Sequence, residues 1–288
     1  MKVFPFKIPK TKEDSLIYQE DVEFVFYDKL HQHEEIQISY IENGEGTIFV
    51  GDTISPYQKG DVVVIGSNLP HVFRSDANTE ELSVMLTLFF TANSFGKDFF
   101  SLPALKEIQP FWESCKNGFV VNNPSNKVIK SFKKIKSVNE FDRFMLFLEI
   151  TKKLSQDKKT PLSSYIYDKK ITDNEGKRMQ TVFEYVMTNF QKNITLDEIA
   201  ALSNMTKNAF CKYFKVRTNK TFFQFLIEIR IERAGKLLSK SQELSVLEVS
   251  ELCGFNNISN FNRKFKEIKG MSPLVYRKSQ RLKWKQKA

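Results

Sequence analysis

An internal repeat of about fifty residues near the C-terminal end constrains the fold most strongly. Within residues 193–288, Phe210 and Phe214 fall on Phe261 and Phe265 when the sequence is compared with itself at an offset of 51. Upstream of these phenylalanines the offset is 50, so the second copy carries one inserted residue. Each copy must therefore form the same supersecondary unit.

Each copy has the residue pattern of a helix-turn-helix motif. In the first copy, Thr195 is the predicted N-cap of LDEIAALS, whose acidic first turn suits a helix N-terminus. Asn204 stands where the turn requires a left-handed backbone, and Thr206 caps a second predicted helix, KNAFCKYFK. A long predicted helix, 221–240, joins the two motifs rigidly. The corresponding residues of the second copy are Ser245, Gly254 and Asn257.

The second helix of each motif has the pattern of a DNA recognition helix, with one buried stripe and an opposite polar stripe. Two such helices on one chain are expected to enter successive major-groove faces about 34 Å apart. The side chains predicted to face DNA bases are Asn208, Cys211, Lys212, Ile258, Ser259, Asn262 and Arg263. The side chains predicted to bind phosphates, which set position without reading sequence, are Lys207, Lys215, Arg217 and Lys266.

Positive charge is concentrated in the part of the sequence that contains the repeat. Residues 1–175 carry 22 Lys and Arg against 25 Asp and Glu, whereas residues 176–288 carry 22 against 9. Such an excess is typical of a polyanion binder, because neutralised phosphates release counterions. A solvated basic surface would explain the charge alone, and an ordinary helical hairpin would explain one motif alone. The matched motifs and the charge together favour binding to double-stranded DNA.

The first part of the sequence has the pattern of an antiparallel β-protein. Asn43-Gly44 is predicted to close a tight hairpin, and Lys59-Gly60-Asp61 is predicted to begin the next strand. Successive strands without intervening helical periodicity favour an antiparallel barrel or sandwich. The predicted strands are 23–27, 36–41, 47–50, 61–65 and 82–90.

Between the strands and the repeat, the apolar periodicity changes to that of helices. Residues 126–154 suit two amphipathic helices, which are expected to pack on the barrel or on a second copy of the chain and to make the dimer contacts. A segment rich in Pro, Ser, Asp and Lys follows and is interpreted as a linker. The predicted fold class is α+β, with an antiparallel β-barrel and flanking helices in 1–160, a linker in 161–176 and an all-α domain in 177–288.

The repeat region resembles a known family. GFNNISNFNRKFKEIKGMSPLVYR (254–277) is similar, nearly position by position, to the C-terminal signature of AraC/XylS-type transcription regulators, and residues 194–238 resemble the preceding half. The resemblance implies a seven-helix DNA-binding domain with two helix-turn-helix motifs and the base-facing set named above. Cys211 and Ile258 depart from the longer polar residues common at their positions, and Ile258 is expected to contact a thymine methyl group.

All three histidines, His31, His33 and His71, lie in the strand-rich half. His31 and His33 would point to one face of an extended segment, and a barrel could bring His71 to them. HQHEEIQISYIENGEG and KGDVVVIGSNLPHVF resemble the two cupin motifs, and the cupin, a small β-barrel, is common as the sensor half of this regulator family. Three histidine ligands would suit zinc, iron or nickel.

The carboxylate that metal-binding cupins carry shortly after the H-x-H pair is absent, because Gln37 occupies its position. The resemblance implies that regulator cupins bind small organic effectors or keep these histidines for structure. We therefore predict an effector pocket with no bound metal and no cofactor, with purely structural histidines as the open alternative. The residues assigned to the pocket are His31, His33, Gln37, His71, Phe24 and Tyr40.

The leading interpretation is a sequence-specific transcription regulator, not an enzyme, that acts as a dimer under the control of a small-molecule effector. Effector binding is expected to change the dimer geometry and hence the DNA half-sites that both protomers reach, and RNA polymerase is a further candidate partner. One alternative is a cupin metalloenzyme with an appended nucleic-acid-binding module. The other is a non-specific nucleoid or RNA-binding protein.

The sequence also predicts a cytoplasmic protein with no membrane partner. MKVFPFKIPKTKEDS lacks the apolar core of a secretory signal, and no stretch approaches the ~20 apolar residues of a membrane span. The three cysteines have no C-x-x-C spacing, so neither a disulfide framework nor a cysteine zinc site is expected.

Overall fold

The chain divides into two compact units, Met1–Gly176 and Lys177–Ala288. The first unit is a β-protein with helices, and the second is helical. In the described residues no helix has both the length and the apolar character needed to cross a bilayer. The computed structural model describes residues 15–76, 81–164, 173–241 and 243–285.

The strands of the first unit form two antiparallel sheets. A six-stranded sheet has the order β1-β7-β2-β5-β8-β9, and a three-stranded sheet has the order β4-β3-β6. The arrangement is cupin-like without forming one closed barrel. The strands are β1 (Ile17–Glu23), β2 (Ile36–Asn43), β3 (Gly46–Val50), β4 (Thr53–Tyr57), β5 (Val62–Ile65), β6 (His71–Ser75), β7 (Ser83–Phe90), β8 (Phe119–Val121) and β9 (Thr160–Pro161).

Four of the five predicted strands are confirmed as β2, β3, β5 and β7, but the prediction of a strand at 23–27 is wrong. The first strand, β1, lies earlier in the chain and ends at Glu23, which pairs with the first residue of β7, Ser83. Beyond Glu23 the chain loses its pairing partner. Phe24 is then exposed, whereas Phe26 turns into the core.

The predicted hairpin at Asn43-Gly44 is also wrong. Strand β2 pairs with β5 and β7, whereas β3 pairs with β4 and β6, so the chain changes sheets at this turn. Gly44 has φ +108°, and a Cβ there would lie 2.7 Å from the Ser83 hydroxyl oxygen. Glycine is therefore required for the sheet change rather than for a two-residue hairpin.

The two faces of the six-stranded sheet bury different groups. Along β2, Ile38 and Tyr40 belong to the core that packs against helices, whereas Ile41 belongs to the core shared with the three-stranded sheet. Side chains alternate between the faces of a strand, so Gln37 and Ser39 lie on the inner face with Ile41. The interior of the first unit is therefore apolar with a strip of polar groups on β2.

The two helices predicted in 126–154 are confirmed. The first unit contains α1 (Gln109–Cys115), α2 (Asn126–Ile135) and α3 (Glu140–Gln156). Phe132 on α2 and Phe147 on α3 are fully buried against the outer face of the large sheet. Phe141, at the start of α3, is 70% exposed and takes no part in this core.

The chain leaves the first unit through contacts with the loop between β3 and β4. Asp52 is buried, and its carboxylate accepts hydrogen bonds from the hydroxyl of Ser163 at 2.9 Å and from the backbone N–H of Ser164 at 2.9 Å. Leu162 is buried beside them. These residues of the predicted linker 161–176 thus pack on the first unit, and residues 165–172 lie outside the described residues.

The described part of the second unit contains seven helices, as the resemblance implies. The four predicted N-caps are confirmed, since Thr195, Thr206, Ser245 and Asn257 each accept a hydrogen bond from a first-turn backbone N–H. Asn204 and Gly254 take positive φ values of 53° and 80° in the two predicted turns. The helices are α4 (Asp173–Asn189), α5 (Leu196–Leu202), α6 (Lys207–Thr218), α7 (Phe222–Lys240), α8 (Val246–Leu252), α9 (Ile258–Lys269) and α10 (Pro273–Lys285).

Candidate functional site

The first candidate recognition helix, α6, is fixed by two buried phenylalanines. Phe210 and Phe214 are fully buried, and both rings contact Phe222 at the start of α7, with centroids 5.7 Å apart in each case. This packing leaves the opposite side of α6 open. The predicted base-facing residues of this helix are all exposed: Asn208, Cys211 and Lys212.

The second candidate recognition helix, α9, repeats this arrangement. Phe261 and Phe265 are fully buried, while Ser259, Asn262 and Arg263 are exposed. Ile258 differs from its predicted neighbours because it is half-buried and packs against the core of the second motif. Part of its side chain thus remains accessible, as a contact with a thymine methyl group requires.

The guanidinium of Arg263 already has partners on its own helix. It donates a hydrogen bond to Oδ1 of Asn260 at 2.9 Å, and it lies 3.7 Å from a carboxylate oxygen of Glu267. Both partners are exposed, so these contacts are weak and easily exchanged. Arg263 is therefore held along α9 and has to leave these partners to reach a base.

The predicted phosphate contacts differ in their surroundings. Lys207 forms an ion pair with Asp197 of α5, with Nζ 2.8 Å from the carboxylate. Lys215 and Lys266 are exposed, and Arg217 is half-buried. Three of the four cations therefore stand on an exposed surface where phosphate oxygens can approach.

A groove of about 480 Å³ runs beside α9. Asn262 and Arg263 form one wall, and Leu247 of α8 and Leu274 of α10 contribute exposed apolar surface. The sequence prediction did not include these two leucines. Their positions in the first turns of α8 and α10 were the available signal, since first-turn residues of helices that flank a recognition helix share its surface.

In the first unit, the structure brings the three histidines together. Ring centroids are 4.2 Å apart for His31 and His71, 5.0 Å for His33 and His71, and 5.9 Å for His31 and His33. One ring nitrogen from each lies within 4.8 Å of the others. His33 and His71 are buried, and His31 closes the cluster on its more accessible side.

A backbone carbonyl accepts a hydrogen bond from each ring. The Nδ1 atoms of His31, His33 and His71 lie 2.7–2.8 Å from the carbonyl oxygens of residues 29, 35 and 69, respectively. A carbonyl only accepts, so in His31 and His71 Nδ1 carries the proton and Nε2 carries a lone pair, whereas Nε2 of His33 faces a second acceptor, Oε1 of Gln37. Nε2 of His71 is buried without a hydrogen-bond partner, which is costly unless a ligand supplies one.

Burial keeps the cluster neutral. It lowers the pKa of His31 to about 3, and it also lowers the pKa of His33 and of His71. The neighbouring imidazoles act in the same direction on His31 and His71, because a second positive charge nearby is unfavourable. The cluster therefore presents uncharged imidazole rings at neutral pH.

A polar chain leads away from the cluster into the sheet. The side-chain oxygen Oε1 of Gln37 lies 3.2 Å from Nε2 of His33, and the side-chain nitrogen of Gln37 donates a hydrogen bond to the Ser39 hydroxyl at 2.8 Å. That hydroxyl lies 2.8 Å from the Thr87 hydroxyl. Ser39 and Thr87 were not predicted, although the alternation in IQISYI places Ser39 on the same face as Gln37.

The structure does not bring Phe24 and Tyr40 into the cluster. Phe24 is 63% exposed, just after the end of β1. Tyr40 lies on the opposite face of β2 from Gln37, where its ring stacks on Phe132 with centroids 5.7 Å apart. The site therefore consists of the three histidines and Gln37.

The cluster fits a divalent transition metal as a three-nitrogen site. Nitrogen ligands bound to zinc at 2.0–2.1 Å would be about 3.3 Å apart in a tetrahedral site, so the rings would have to move together slightly. The backbone carbonyls that accept from the Nδ1 atoms are the kind of outer partner that orients histidine ligands. Gln37 is a neutral group at the position of the expected carboxylate, so the site lacks an anionic ligand there.

Known families match both units. Residues 26–89 match the family described as a cupin domain, and residues 199–279 match the family described as a helix-turn-helix domain. Over 262 residues the chain is 25% identical to the uncharacterized HTH-type transcriptional regulator YdeC of Bacillus subtilis, covering 88% of this chain and 87% of that protein.

Two further similarities cover little more than a third of this chain. The chain is 37% identical over 101 residues to the transcriptional activator NphR of a Rhodococcus species, covering 35% of this chain and 29% of that protein. It is also similar to the crystal structure of the DNA-binding domain of AdpA, a global transcriptional factor, in complex with a target DNA. That similarity has 27% identity and a TM-score of 0.35, and it covers 39% of this chain and 96% of the other.

The family matches and the geometry lead to one assignment. The matched helix-turn-helix family spans both repeated motifs, whose polar stripes are exposed. The matched cupin family spans the strands that carry the histidines. The chain is therefore a DNA-binding transcription regulator that carries a cupin domain followed by an AraC-type helix-turn-helix domain.

Proposed function

We propose that the histidine cluster binds a small effector and that its occupancy controls DNA binding by the second unit, in the cytoplasm where the DNA lies. The observation that carries this proposal is the buried Nε2 atom of His71, which has no hydrogen-bond partner. A polar atom in that condition favours a ligand that supplies the missing hydrogen bond or coordinates the nitrogen. The rings of His31 and His33 each place one further nitrogen within 4.8 Å of it.

Two effector chemistries suit this donor set. An organic effector would donate a hydrogen bond to a ring nitrogen, with Gln37 as a second polar contact. A divalent metal ion is the second candidate, because three neutral imidazoles with fixed Nδ1–H groups match its ligand preferences. A bound ion would supply positive charge at a site that is otherwise neutral.

The backbone links the cluster to the point where the chain leaves the first unit. His71 pairs with Val50 across β6 and β3, and the backbone N–H of Gly51 donates to the carbonyl of Pro70 at 2.8 Å. The next residue, Asp52, holds Ser163 and Ser164 through its carboxylate. Movement of His71 on ligand binding would thus act on the segment that precedes the second unit.

We also propose that the protein acts as a dimer through α3. Phe141 and Met145 are 70% and 50% exposed, one helical turn apart, and Leu148 continues the stripe as a half-buried residue. A second copy of α3 would bury this apolar surface. RNA polymerase would be a further partner of the DNA-bound dimer.

Phe141→Glu combined with Met145→Glu tests the dimer. The double variant should sediment as a monomer at concentrations where the wild type is dimeric, because charged side chains would be buried in the contact. The matched control is Leu102→Glu, a similarly exposed leucine outside α3. A wild type that is monomeric at all concentrations, or a double variant that still dimerises, would contradict the proposal.

Effector binding is tested with metal-free full-length protein. Zinc, nickel, iron(II) and a library of small organic molecules are added separately, and thermal stability and affinity for the protein's own DNA site are measured. A true effector should stabilise the wild type, change its DNA affinity, and do neither in His71→Ala. If no compound shifts either quantity, the histidines have a structural role.

An enzyme remains the competing interpretation of the cupin unit. We propose that the chain has no catalytic activity, and the similarity to proteins named as transcriptional regulators supports this. Stoichiometric metal combined with turnover of a substrate that does not alter DNA binding would favour the enzyme instead.

A further inference from the structure

The segment between α4 and the first helix-turn-helix motif is clasped by an arginine of the connecting helix α7. Arg230 donates from Nε to the carbonyl of Phe190 at 2.7 Å and from Nη2 to the carbonyl of Lys192 at 2.8 Å. Three residues after Lys192, Thr195 caps the first helix of the motif. One side chain thus fixes the entry to the first motif against α7.

The same arginine touches the turn of the second motif. Its guanidinium carbon lies 5.8 Å from the ring centroid of Phe255, in a cation–π contact. Phe255 is buried and directly follows Gly254, the turn residue. Arg230 is therefore in contact with elements of both motifs.

Backbone packing brings the two motifs together at this point. A Cβ on Gly254 would lie 2.6 Å from the carbonyl oxygen of Gln191, so the second turn rests directly on the clasped segment. Arg233, one turn further along α7, lies with its guanidinium carbon 5.7 Å from the ring centroid of Phe190. The contact between the motifs therefore depends on α7, residues 190–192 and the second turn.

The recognition helices are in turn fixed to these elements. Helix α6 packs on α7 through Phe214 and Phe225, with ring centroids 5.4 Å apart, and α9 packs on the second turn through Phe261 and Phe255 at 5.2 Å. A rotation of one motif relative to the other would break the bonds of Arg230. The angle and distance between the two recognition helices thus depend on this residue.

We infer that Arg230 is a positioning residue that sets the spacing between the two base sequences one chain accepts. Arg230 acts without touching DNA, through the relative placement of α6 and α9. Rotation by one base pair is about 35°, because B-DNA has 10–10.5 base pairs per turn. A rigid joint should reject that rotation, whereas a loosened joint should tolerate it.

The test uses full-length protein and DNA probes derived from its selected site. The spacer between the two contacted motifs is kept or changed by one or two base pairs in either direction, and further probes have one motif scrambled. For the wild type, a change of one base pair should reduce affinity by about tenfold or more, the size of a typical mismatch. For Arg230→Gln, affinity for the best probe should fall, while the five spacer lengths should differ by no more than about threefold.

The matched control is Arg277→Gln. Arg277 donates a hydrogen bond to the carbonyl of Leu244 at 2.7 Å. The substitution therefore also removes an arginine–carbonyl bond, but this bond lies within the second motif. The spacer profile of this variant, its DNA affinity as a function of spacer length, should stay as steep as that of the wild type. In all three proteins the base preference of each motif should be unchanged.

An Arg230→Gln profile as steep as that of the wild type, with the same best spacer, would overturn the inference. If Arg230→Gln does not fold, Arg230→Lys replaces it, because lysine keeps the charge but cannot hold both carbonyls with a planar fork. A steep profile for a folded Arg230→Lys would likewise overturn it, and a flattened profile would support it.

Discussion

His31 and His71 are joined by two backbone hydrogen bonds, from His31 N–H to the His71 carbonyl at 3.1 Å and from His71 N–H to the His31 carbonyl at 2.9 Å. A third bond, from the Asn68 N–H to the His33 carbonyl at 2.7 Å, holds the next histidine of the same segment. The rings are thus positioned by backbone pairing before any ligand arrives. A preorganised cluster of this kind lowers the cost of ligand binding.

Replacing Gln37 with glutamate tests whether the cluster can hold a metal. Gln37→Glu places a carboxylate 3.2 Å from the ring of His33, where it can act as an anionic fourth ligand. Affinity for zinc or nickel should rise by about tenfold or more relative to the wild type. Isothermal titration of metal-free protein measures this directly.

His71→Ala serves as the opposing variant. It removes one of the three nitrogens, so metal affinity should fall by about tenfold or more. Thermal melting in the presence of a chelator shows whether each variant is folded. Equal metal affinity in the wild type, Gln37→Glu and His71→Ala would mean that metal does not bind at the cluster.

A second prediction uses the natural cysteines as reporters of the DNA interface. Cys211 is exposed on α6, whereas Cys115 and Cys253 are buried. Burial raises the pKa of Cys253 to about 12 and raises that of Cys115 as well, so neither forms a reactive thiolate at pH 8. A maleimide should therefore modify one thiol of the folded protein rapidly.

Specific DNA should slow the modification of Cys211 strongly, because the thiol faces the bases in the predicted complex. Mass spectrometry of a time course gives the rate with specific DNA, with unrelated DNA and without DNA. An unrelated duplex at physiological salt should protect little, since non-specific binding is weak there. Full reactivity of Cys211 at saturating specific DNA would show that this face of α6 points away from the duplex.

Arg263 and Lys207 are predicted to lose DNA affinity in different ways. Arg263→Ala should cost about 1–3 kcal/mol and relax preference at one base pair, because arginine can bond guanine in two places. Lys207→Ala should weaken binding to all sequences alike, and it should reduce the slope of log affinity against log salt concentration by about one. Competition assays with single-base variants of the site, at two salt concentrations, separate the two results.

Glu267→Gln tests whether the ion pairs of Glu267 compete with DNA for the same cationic side chains. It removes a carboxylate that attracts both Arg263 and Lys264, so DNA affinity should rise. Uniform losses across all sequences for Arg263→Ala would refute its role as a base contact.

Two glycines with the same backbone conformation should respond differently to alanine. Gly254 and Gly270 have φ values of 80° and 73°, so both substitutions carry the cost of a left-handed alanine, about 1–2 kcal/mol. A Cβ at Gly270 meets no atom within 4 Å, whereas a Cβ at Gly254 would overlap the backbone of Gln191. Gly254→Ala should therefore be less stable than Gly270→Ala by about a further 1–3 kcal/mol.

Chemical denaturation of the two variants measures this difference. Gly270→Ala is the control, since it shares the backbone strain without the overlap. Equal free energies of unfolding would mean that the second turn can move away from residues 190–192 at little cost, which would also weaken the argument for a rigid joint.

The two helix-turn-helix motifs of the second unit could be predicted from sequence because their signals are local. Each cap acts on a backbone N–H three residues away, and each turn needs one residue with positive φ, so Thr195 and Gly254 identify their elements without knowledge of the rest of the fold. What no local signal reveals is that Arg230 reaches carbonyls about forty residues away in sequence.

The first unit was harder because its sheets depend on distant pairing. The apolar run at 23–27 has the composition of a strand, but the real strand is the more polar IYQEDVE, whose position is set by its partner β7. Asn43-Gly44 has the composition of a hairpin turn, yet the flanking strands enter different sheets. The histidines were correctly predicted to meet, whereas the prediction that Tyr40 shares their pocket was wrong, because Tyr40 and Gln37 alternate to opposite faces of β2.

Two recognition helices on one chain should read two separate base sequences. Selection from a random DNA library by full-length protein, at about physiological salt where non-specific binding is suppressed, tests this directly. The enriched sites should contain two short motifs about one helical turn apart within the footprint of each protomer. Enrichment of a single motif, or of no motif despite salt-sensitive binding to all DNA, would contradict it.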